Sequence, residues 1–262
     1  MEKLHKYPRT RHLVGSRLQK GDEDLSAVPF SDLSGKYIVV EEKIDGANSG
    51  ISFVDGELML QSRGHYLTGG YRERHFNLLK NWSAAFSDEL YGVLGERYVM
   101  YGEWLYAKHT VFYDKLPHYF FEFDILDKET GDFFSTENRR KMLANLPFIQ
   151  SVPVLEEGYI KSFDDLQKCL GKSLYKSENW RQSLQAACEK EKLDFALAMK
   201  QTDDSDLAEG LYLKVEAGGK VTDRLKFVRS EFVSQIQSSD SHWLNRPIIP
   251  NLLERGELDW IF

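Results

Sequence analysis

The sequence predicts an α+β protein with antiparallel strands and helices inserted between them. Three observations lead there. Short runs rich in β-branched and aromatic residues recur along the chain. Asp55-Gly56, a strong hairpin signal, sits between two of them. Stretches with helical spacing fall between these runs without regular βαβ alternation.

The first run is 36–44, KYIVVEEKI, ended by Asp45-Gly46. Residues 49–54 and 57–62 flank Asp55-Gly56 as the arms of a hairpin. From 71 to 91, Tyr71, His75, Leu78, Leu79, Trp82, Ala85 and Phe86 recur at helical spacing. The apolar runs 97–105 and 118–127 read as strands. Thr136 to Leu143 reads as a helix, 151–156 as a short strand, and 163–170 and 178–199 as helices. Two more strands, 209–216 and 221–228, are joined through Gly218-Gly219. The tail beyond 230 contains Asn245-Arg246-Pro247 and Pro250, and reads as a short helix plus irregular packing.

With 262 residues, 42% hydrophobic and 29% charged, an ordinary folded protein is expected, not a disordered one. The net charge of −7 weighs against a generally basic nucleic-acid surface. Charge is unevenly placed, however. Lys3, Lys6, Arg9, Arg11, Arg17 and Lys20 face only Glu2 in the first twenty residues. That segment is either a solvated, partly flexible N-terminus or a phosphate-facing patch. Cys169 and Cys188 form no CxxC pair, so neither a disulfide framework nor a zinc site is suggested. No apolar stretch is long enough to span a membrane, and a cytoplasmic setting is expected.

Lys43-Ile44-Asp45-Gly46 lies where a buried strand meets a turn. Taken alone, KxDG is a weak signal and fits a surface lysine before an ordinary turn. Its chemical reading rests on placement. A lysine amine is nucleophilic only when neutral, and desolvation or neighbouring cations favour that form. A strand end fixes the amine, and a tight turn lets backbone approach a ligand.

The stretch Glu42-Lys43-Ile44-Asp45-Gly46-Ala47-Asn48 resembles motif I of the covalent nucleotidyltransferases, the superfamily of ligases and mRNA-capping enzymes. Asn48, five positions after Lys43, resembles the nick-sealing branch of phage-type RNA ligases. Further motifs follow in order. Ser62-Arg63 resembles motif Ia, Glu103 motif III, and Phe121-Glu122-Phe123-Asp124 motif IIIa. Glu209-Gly210, with Lys214 following, resembles motif IV, and Arg224-Leu225-Lys226 occupies the place of motif V. The usual pattern there is Lys-x-Lys, so Arg224 is a departure that keeps the charge and changes its geometry. The resemblance spans about 37–229.

The resemblance implies a nucleotidyltransferase (ATP-grasp-like ligase) fold, with antiparallel sheets flanked by helices around a nucleotide pocket. It implies an ATP-dependent RNA ligase joining 5′-phosphate and 3′-OH ends, with AMP carried covalently on Lys43. Lys43, Asp45, Glu209, Lys214 and Lys226 are the implied catalytic residues. Glu42, Lys43, Asn48, Arg63, Glu103, Phe123, Lys214, Arg224 and Lys226 are the implied nucleotide contacts. Glu209, helped by Asp45, is the implied ligand for Mg²⁺ or Mn²⁺, as hard carboxylate oxygens suit such ions. Lys214, Arg224 and Lys226 would bring charge to the α-phosphate. Glu103 would hold a ribose hydroxyl and Arg63 a 5′-phosphate. Strand alternation puts Phe121 and Phe123 on one face, and only the resemblance selects Phe123 as the ring stacked on adenine. His109 reads as structural.

About 33 residues follow motif V, so residues 1–230 are expected to form the adenylyltransferase domain and 231–262 a short tail without an OB-fold domain. The expected partners are RNA ends, nicked duplex or single-stranded, with room for an RNA-repair partner protein and no membrane. DNA ligation, capping-type guanylyl transfer and a non-catalytic nucleotide- or RNA-binding module are the alternatives.

Overall fold

The computed structural model describes residues 3–18, 25–238 and 246–256. Lys20 of the basic N-terminal segment and Asn245 of the tail lie outside the described residues. Eleven strands are described: β1 (Arg11–His12), β2 (Tyr37–Lys43), β3 (Ala47–Val54), β4 (Glu57–Ser62), β5 (Tyr98–Trp104), β6 (Phe120–Asp127), β7 (Phe133–Phe134), β8 (Gln150–Ser151), β9 (Val154–Gly158), β10 (Gly210–Ala217) and β11 (Lys220–Val228). They join in one sheet, ordered β4-β3-β5-β6-β7-β11-β10-β2-β9, with β1 beside β11 and β8 beside β6. All pairings are antiparallel except β1 with β11 and β6 with β8. The α+β expectation holds.

The β3–β4 hairpin turns through Asp55 and Gly56, both at positive φ (53° and 79°). Among the described residues seven α-helices accompany the sheet: α1 (Asn77–Ala85), α2 (Ser87–Leu94), α3 (Thr136–Leu143), α4 (Phe163–Lys168), α5 (Trp180–Glu191), α6 (Phe195–Lys200) and α7 (Ser230–Ser238). The single helix expected over 71–91 is three pieces. Tyr71–Phe76 is a 3-10 turn, and Phe86 leaves helical geometry between α1 and α2. Asp88 and Glu89 then favour a new helix start. The helix expected over 178–199 divides at Lys192, which is left-handed, and Asp194 caps α6 by accepting from the Leu197 amide. The strand expected over 151–156 breaks at Pro153, which has no amide hydrogen to give.

Strands β2, β10 and β11 show how the sheet is used. One face presents Ile38, Val40, Leu211, Leu213, Leu225 and Phe227, packed with Leu13, Val28, Leu33 and Leu166. Directly paired residues share a face, so Lys43 with Gly210, Glu41 with Tyr212, and Lys214 with Arg224 lie on the other. That alternation resembles a half-solvated sheet, yet Glu41 and Lys214 are buried. A larger core, centred on Trp82, Phe86, Phe120 and Phe148, packs α1 and α2 against β3 and β5. Residues 246–256 return to the body of the fold. Ala107 bridges Pro250, Leu116 bridges Leu253, and buried Asn251 bonds the 105–113 loop through both ends of its amide.

The buried polar face holds a balanced chain of charges. Arg139 of α3 donates to Glu122 (2.7 Å) and Glu41 (3.0 Å). Lys214 meets Glu41 (2.8 Å), the Phe123 carbonyl and Asp124 (3.6 Å), and Arg224 meets Asp124 (2.9 Å). Burial would raise the Asp124 carboxyl, but Lys214 and Arg224 outweigh it and hold it below the ordinary range. Removing one member strands its partners in a low dielectric. Arg139→Met is expected to lower unfolding stability by about 3–5 kcal/mol, because Glu41 and Glu122 lose their shared cation. Urea denaturation checks this, and a loss under about 1 kcal/mol would contradict it.

Candidate active site

Lys43 is the last residue of β2, and its cross-strand partner is Gly210. Glu209, the residue before that partner, therefore reaches Lys43, with Oε1 2.7 Å from Nζ. After Lys43 the chain turns sharply into β3, and Gly46 passes so close to β5 that a side chain would not fit. A Cβ there would lie 2.5 Å from Leu105 and 2.7 Å from the Trp104 carbonyl. The Gly46 amide donates to Glu103 Oε1 (3.1 Å), which fixes that carboxylate beside the turn. Lys43 of β2 and Glu103 of β5 thus meet Glu209, which immediately precedes β10.

The electrostatics depart from the expected cationic surroundings. Burial alone would lower the Lys43 amine, but Glu209, with Glu103 and Asp45 behind it, holds it above the ordinary lysine value. Burial pushes the Glu209 carboxyl up to about 7 against the pull of Lys43. Burial likewise pushes Glu103 up to about 8, opposed by Lys43 and by Arg63. The amine of the ligand-free protein is an ammonium held by a carboxylate.

Asp45 sits between the turn and the loop after β5. Its Oδ2 accepts the amides of Thr110 and Val111, both at 2.7 Å, and its own amide donates to the Tyr113 hydroxyl (2.8 Å). It ties the KIDG turn to the 107–113 loop. Glu42 points to the opposite face from Lys43 and accepts from Ser173 Oγ (2.5 Å) and the Leu174 amide (3.1 Å). It holds that loop.

The three basic residues expected at an α-phosphate separate. Lys226 pairs with Tyr212, two positions from the Lys43–Gly210 rung, and its charge reaches Glu209. Lys214 and Arg224 pair with each other two positions further along, on the order of 13 Å from that rung at strand spacing. Lys214 is 0% exposed. Arg224 lies over the Phe133 ring at 3.9 Å. Both pair with Asp124, at the far end of the buried polar face from Lys43. Arg63 is exposed at the end of β4. Asn48, opposite Glu103, has its side-chain oxygen buried and without a hydrogen-bond partner, an acceptor available to a ligand.

Phe123 is the extra residue of a bulge, since Tyr101 pairs with Asp124 and Gly102 with Glu122. The expected sharing of a face by Phe121 and Phe123 is therefore interrupted. Phe121 packs on Tyr175, and Phe123, half-buried, on Tyr7. Tyr7 was missed by the sequence reading. Its ring also meets Tyr101 and Phe133, and its hydroxyl bonds Asp124 and Tyr212. Arg11, expected in a solvated or phosphate-facing patch, pairs with Asp223 at 2.6 Å. The signal for the buried network was present in Glu41 and Asp124, carboxylates within apolar strands.

Glu103 binds a proton in the folded protein at a pH where an unfolded carboxyl has lost it. Its folded value lies above its unfolded one, so stability falls as pH rises from about 4.5 to about 8. Glu103→Gln is expected to flatten the fall in thermal midpoint between pH 5 and 8, followed by circular dichroism. Equal falls in the two proteins would contradict the assignment.

Comparison with known proteins matches this geometry to a family. No curated protein matches the chain significantly. Solved structures of the RNA ligase from Naegleria gruberi share its fold. A lysine-to-alanine variant with ATP and Mn aligns with a TM-score of 0.54 at 16% identity, over 80% of this chain and 54% of that one. The same ligase with pyrophosphate gives 0.53 at 16%, over 79% and 53%. A glutamate-to-alanine variant with AMP and Mn gives 0.53 at 12%, over 90% and 59%. The chain spans a little over half the length of these proteins. The RNA ligase family model matches residues 36–228, which include Lys43, Glu103, Glu209 and Lys226, and the chain belongs to that family.

Proposed function

We propose that this chain is an ATP-dependent RNA ligase in which Lys43 becomes covalently adenylylated. The observation that carries the reading is the Lys43–Glu209 contact, with Glu103 fixed beside it inside the family-matched region. Lys43 Nζ attacks the α-phosphorus of ATP, a nitrogen–phosphorus bond forms, and pyrophosphate leaves. The AMP passes to the 5′-phosphate of an RNA end, and a 3′-OH then displaces it as the ends join.

Lys43 begins as an ammonium and must lose a proton before attack. Glu209, raised toward neutrality and in hydrogen-bond contact, is the acceptor placed to take it. Whatever draws charge from Glu209 also removes the main force holding that proton. Burial then favours the neutral amine. Lys226 supplies positive charge at this end of the cleft, and Asp45 holds the turn through the 110–111 amides.

Among the described residues, no group of three or more His, Cys, Asp or Glu forms a ready metal cage. Mg²⁺ does not require one, because it takes one or two carboxylates and completes its shell with water and phosphate oxygens. Glu209, with Glu103 near it, fits as that hard-oxygen set. Bound there, Mg²⁺ or Mn²⁺ would neutralise phosphate charge and compete with Lys43 for Glu209. Among the described residues no helix is long and apolar enough to cross a membrane. We place the reaction in RNA repair in the cytoplasm, on nicked duplex or single-stranded ends, with room for a repair partner.

Incubation with ATP and Mg²⁺, then peptide mapping by mass spectrometry, is expected to find one adenylyl group on Lys43 and none in Lys43→Ala. Labelling by GTP alone would favour capping chemistry, and no adduct would overturn the reading. The two lysines of β10 and β11 should also separate. Lys226→Ala is expected to cut the adenylylation rate at least ~10-fold with a normal melting curve, as charge stabilisation is lost. Lys214→Ala is expected to act through stability, with a loss of about 3 kcal/mol or more. Equal effects of both on rate, with neither unfolding, would contradict the assignment.

A further inference from the structure

The turn that carries Lys43 is held from one loop. Between β2 and β3, residues 44–46 lie outside the strand ladder, so their buried backbone groups need other partners. The Asp45 amide donates to the Tyr113 hydroxyl at 2.8 Å. Asp45 Oδ2 accepts the amides of Thr110 and Val111, and His109 Nδ1 lies 3.9 Å from Oδ1. All these groups belong to the connection between β5 and β6.

That connection is strapped in turn by residues 249–252. Asn251 is 0% exposed, and its side-chain amide accepts from the Tyr113 backbone (2.9 Å) and donates to the Leu105 carbonyl (2.7 Å). Its own backbone amide donates to the Tyr106 carbonyl (2.8 Å), and the Leu252 amide donates to the Tyr113 carbonyl (2.9 Å). The Tyr119 hydroxyl donates to the Asn251 carbonyl (2.8 Å). Tyr113 is therefore gripped by the strap through its backbone and grips the turn through its side chain. Its ring is fully buried in the larger core, beside Tyr175. Burial, with the Asp45 and Glu42 carboxylates near, holds the phenol well above the ordinary tyrosine value. It keeps its proton and is no base, so the role open to it is geometric.

We propose that Tyr113 is a positioning residue for adenylyl transfer: its hydroxyl pins the turn two residues after Lys43, and so sets where the amine stands against the incoming phosphorus. A nucleophile misplaced by about 1 Å, from a change away from the chemistry, can lose on the order of 100-fold in rate. A hydroxyl on a rigid ring, with the backbone fixed on both sides of it, suits that tolerance. This proposal rests on the ligase reading for its choice of reaction. A tyrosine that only fills space acts through packing, which phenylalanine preserves. A positioning hydroxyl acts through its one bond to the turn.

The test uses the full chain with ATP and Mg²⁺. It compares Tyr113→Phe with Tyr119→Phe, which loses a hydroxyl of the same network that bonds Asn251 instead of Asp45. Circular dichroism sets a temperature at which both variants are folded. There, Tyr113→Phe is expected to lower the rate of Lys43 adenylylation at saturating ATP ~10-fold, with the half-saturating ATP concentration unchanged. Tyr119→Phe is expected to keep the parent rate. Hydrogen exchange read by NMR gives a measure independent of activity. The Gly46 amide, which bonds Glu103 and not Tyr113, is expected to exchange at least ~10-fold faster in Tyr113→Phe than in the parent or in Tyr119→Phe. A parent rate at saturating ATP in Tyr113→Phe would overturn the proposal. So would equal losses in the two variants, or unchanged Gly46 exchange. A parent protein that forms no adduct would sink the ligase reading, and Gly46 exchange alone would then decide whether Tyr113 holds the turn.

Discussion

A half-buried ammonium and a buried carboxylate 2.7 Å apart set the terms for the rest of the structure. Neither Lys43 nor Glu209 is stable there alone, because burial penalises each charged form. Together they satisfy each other. In the proposed reaction the same pairing opposes attack, because a protonated amine is not a nucleophile. A nucleotide would then have to disturb the pair before a bond could form, and Lys226 and a divalent ion are charges suited to do so.

The sheet makes this pair possible by turning its polar face inward. On β2, β10 and β11 one set of alternate residues builds an apolar core and the other builds the cleft. Three cations and three carboxylates then run through the deep end as Glu122, Arg139, Glu41, Lys214, Asp124 and Arg224. Each charge is adjacent to an opposite one, so the buried polar face is charge-paired without being apolar. Tyr7, from the N-terminal segment, closes that face against Phe123 and Asp124.

Much of this was legible in the chain. The strand before KIDG, the Asp55-Gly56 hairpin and the paired strands around Gly218-Gly219 follow from local propensity and turn chemistry. The convergence of Lys43, Glu103 and Glu209 was reachable through ordered motifs. The failures have a common cause. Alternation and composition identify which residues share a face, but not which face is covered. Alternation would permit Lys214 and Arg224 to be solvated strand cations, and Asp124 and Glu41 bury them instead. Phe123 escaped the alternation rule through a bulge, which period-two patterning cannot reveal. Tyr7 gave no signal and Arg11 fell in a basic segment, because their partners Asp124, Tyr212 and Asp223 lie more than a hundred residues away.

The central claim is that Glu209 determines whether the Lys43 amine keeps its proton. Nitrogen-detected NMR of the Lys43 Nζ during a pH titration, in the parent protein and in Glu209→Gln, measures that directly. The account expects a titration above the ordinary lysine value of about 10.4 in the parent and a clear downward shift in the variant. An amine that titrates at the same pH in both proteins would contradict it.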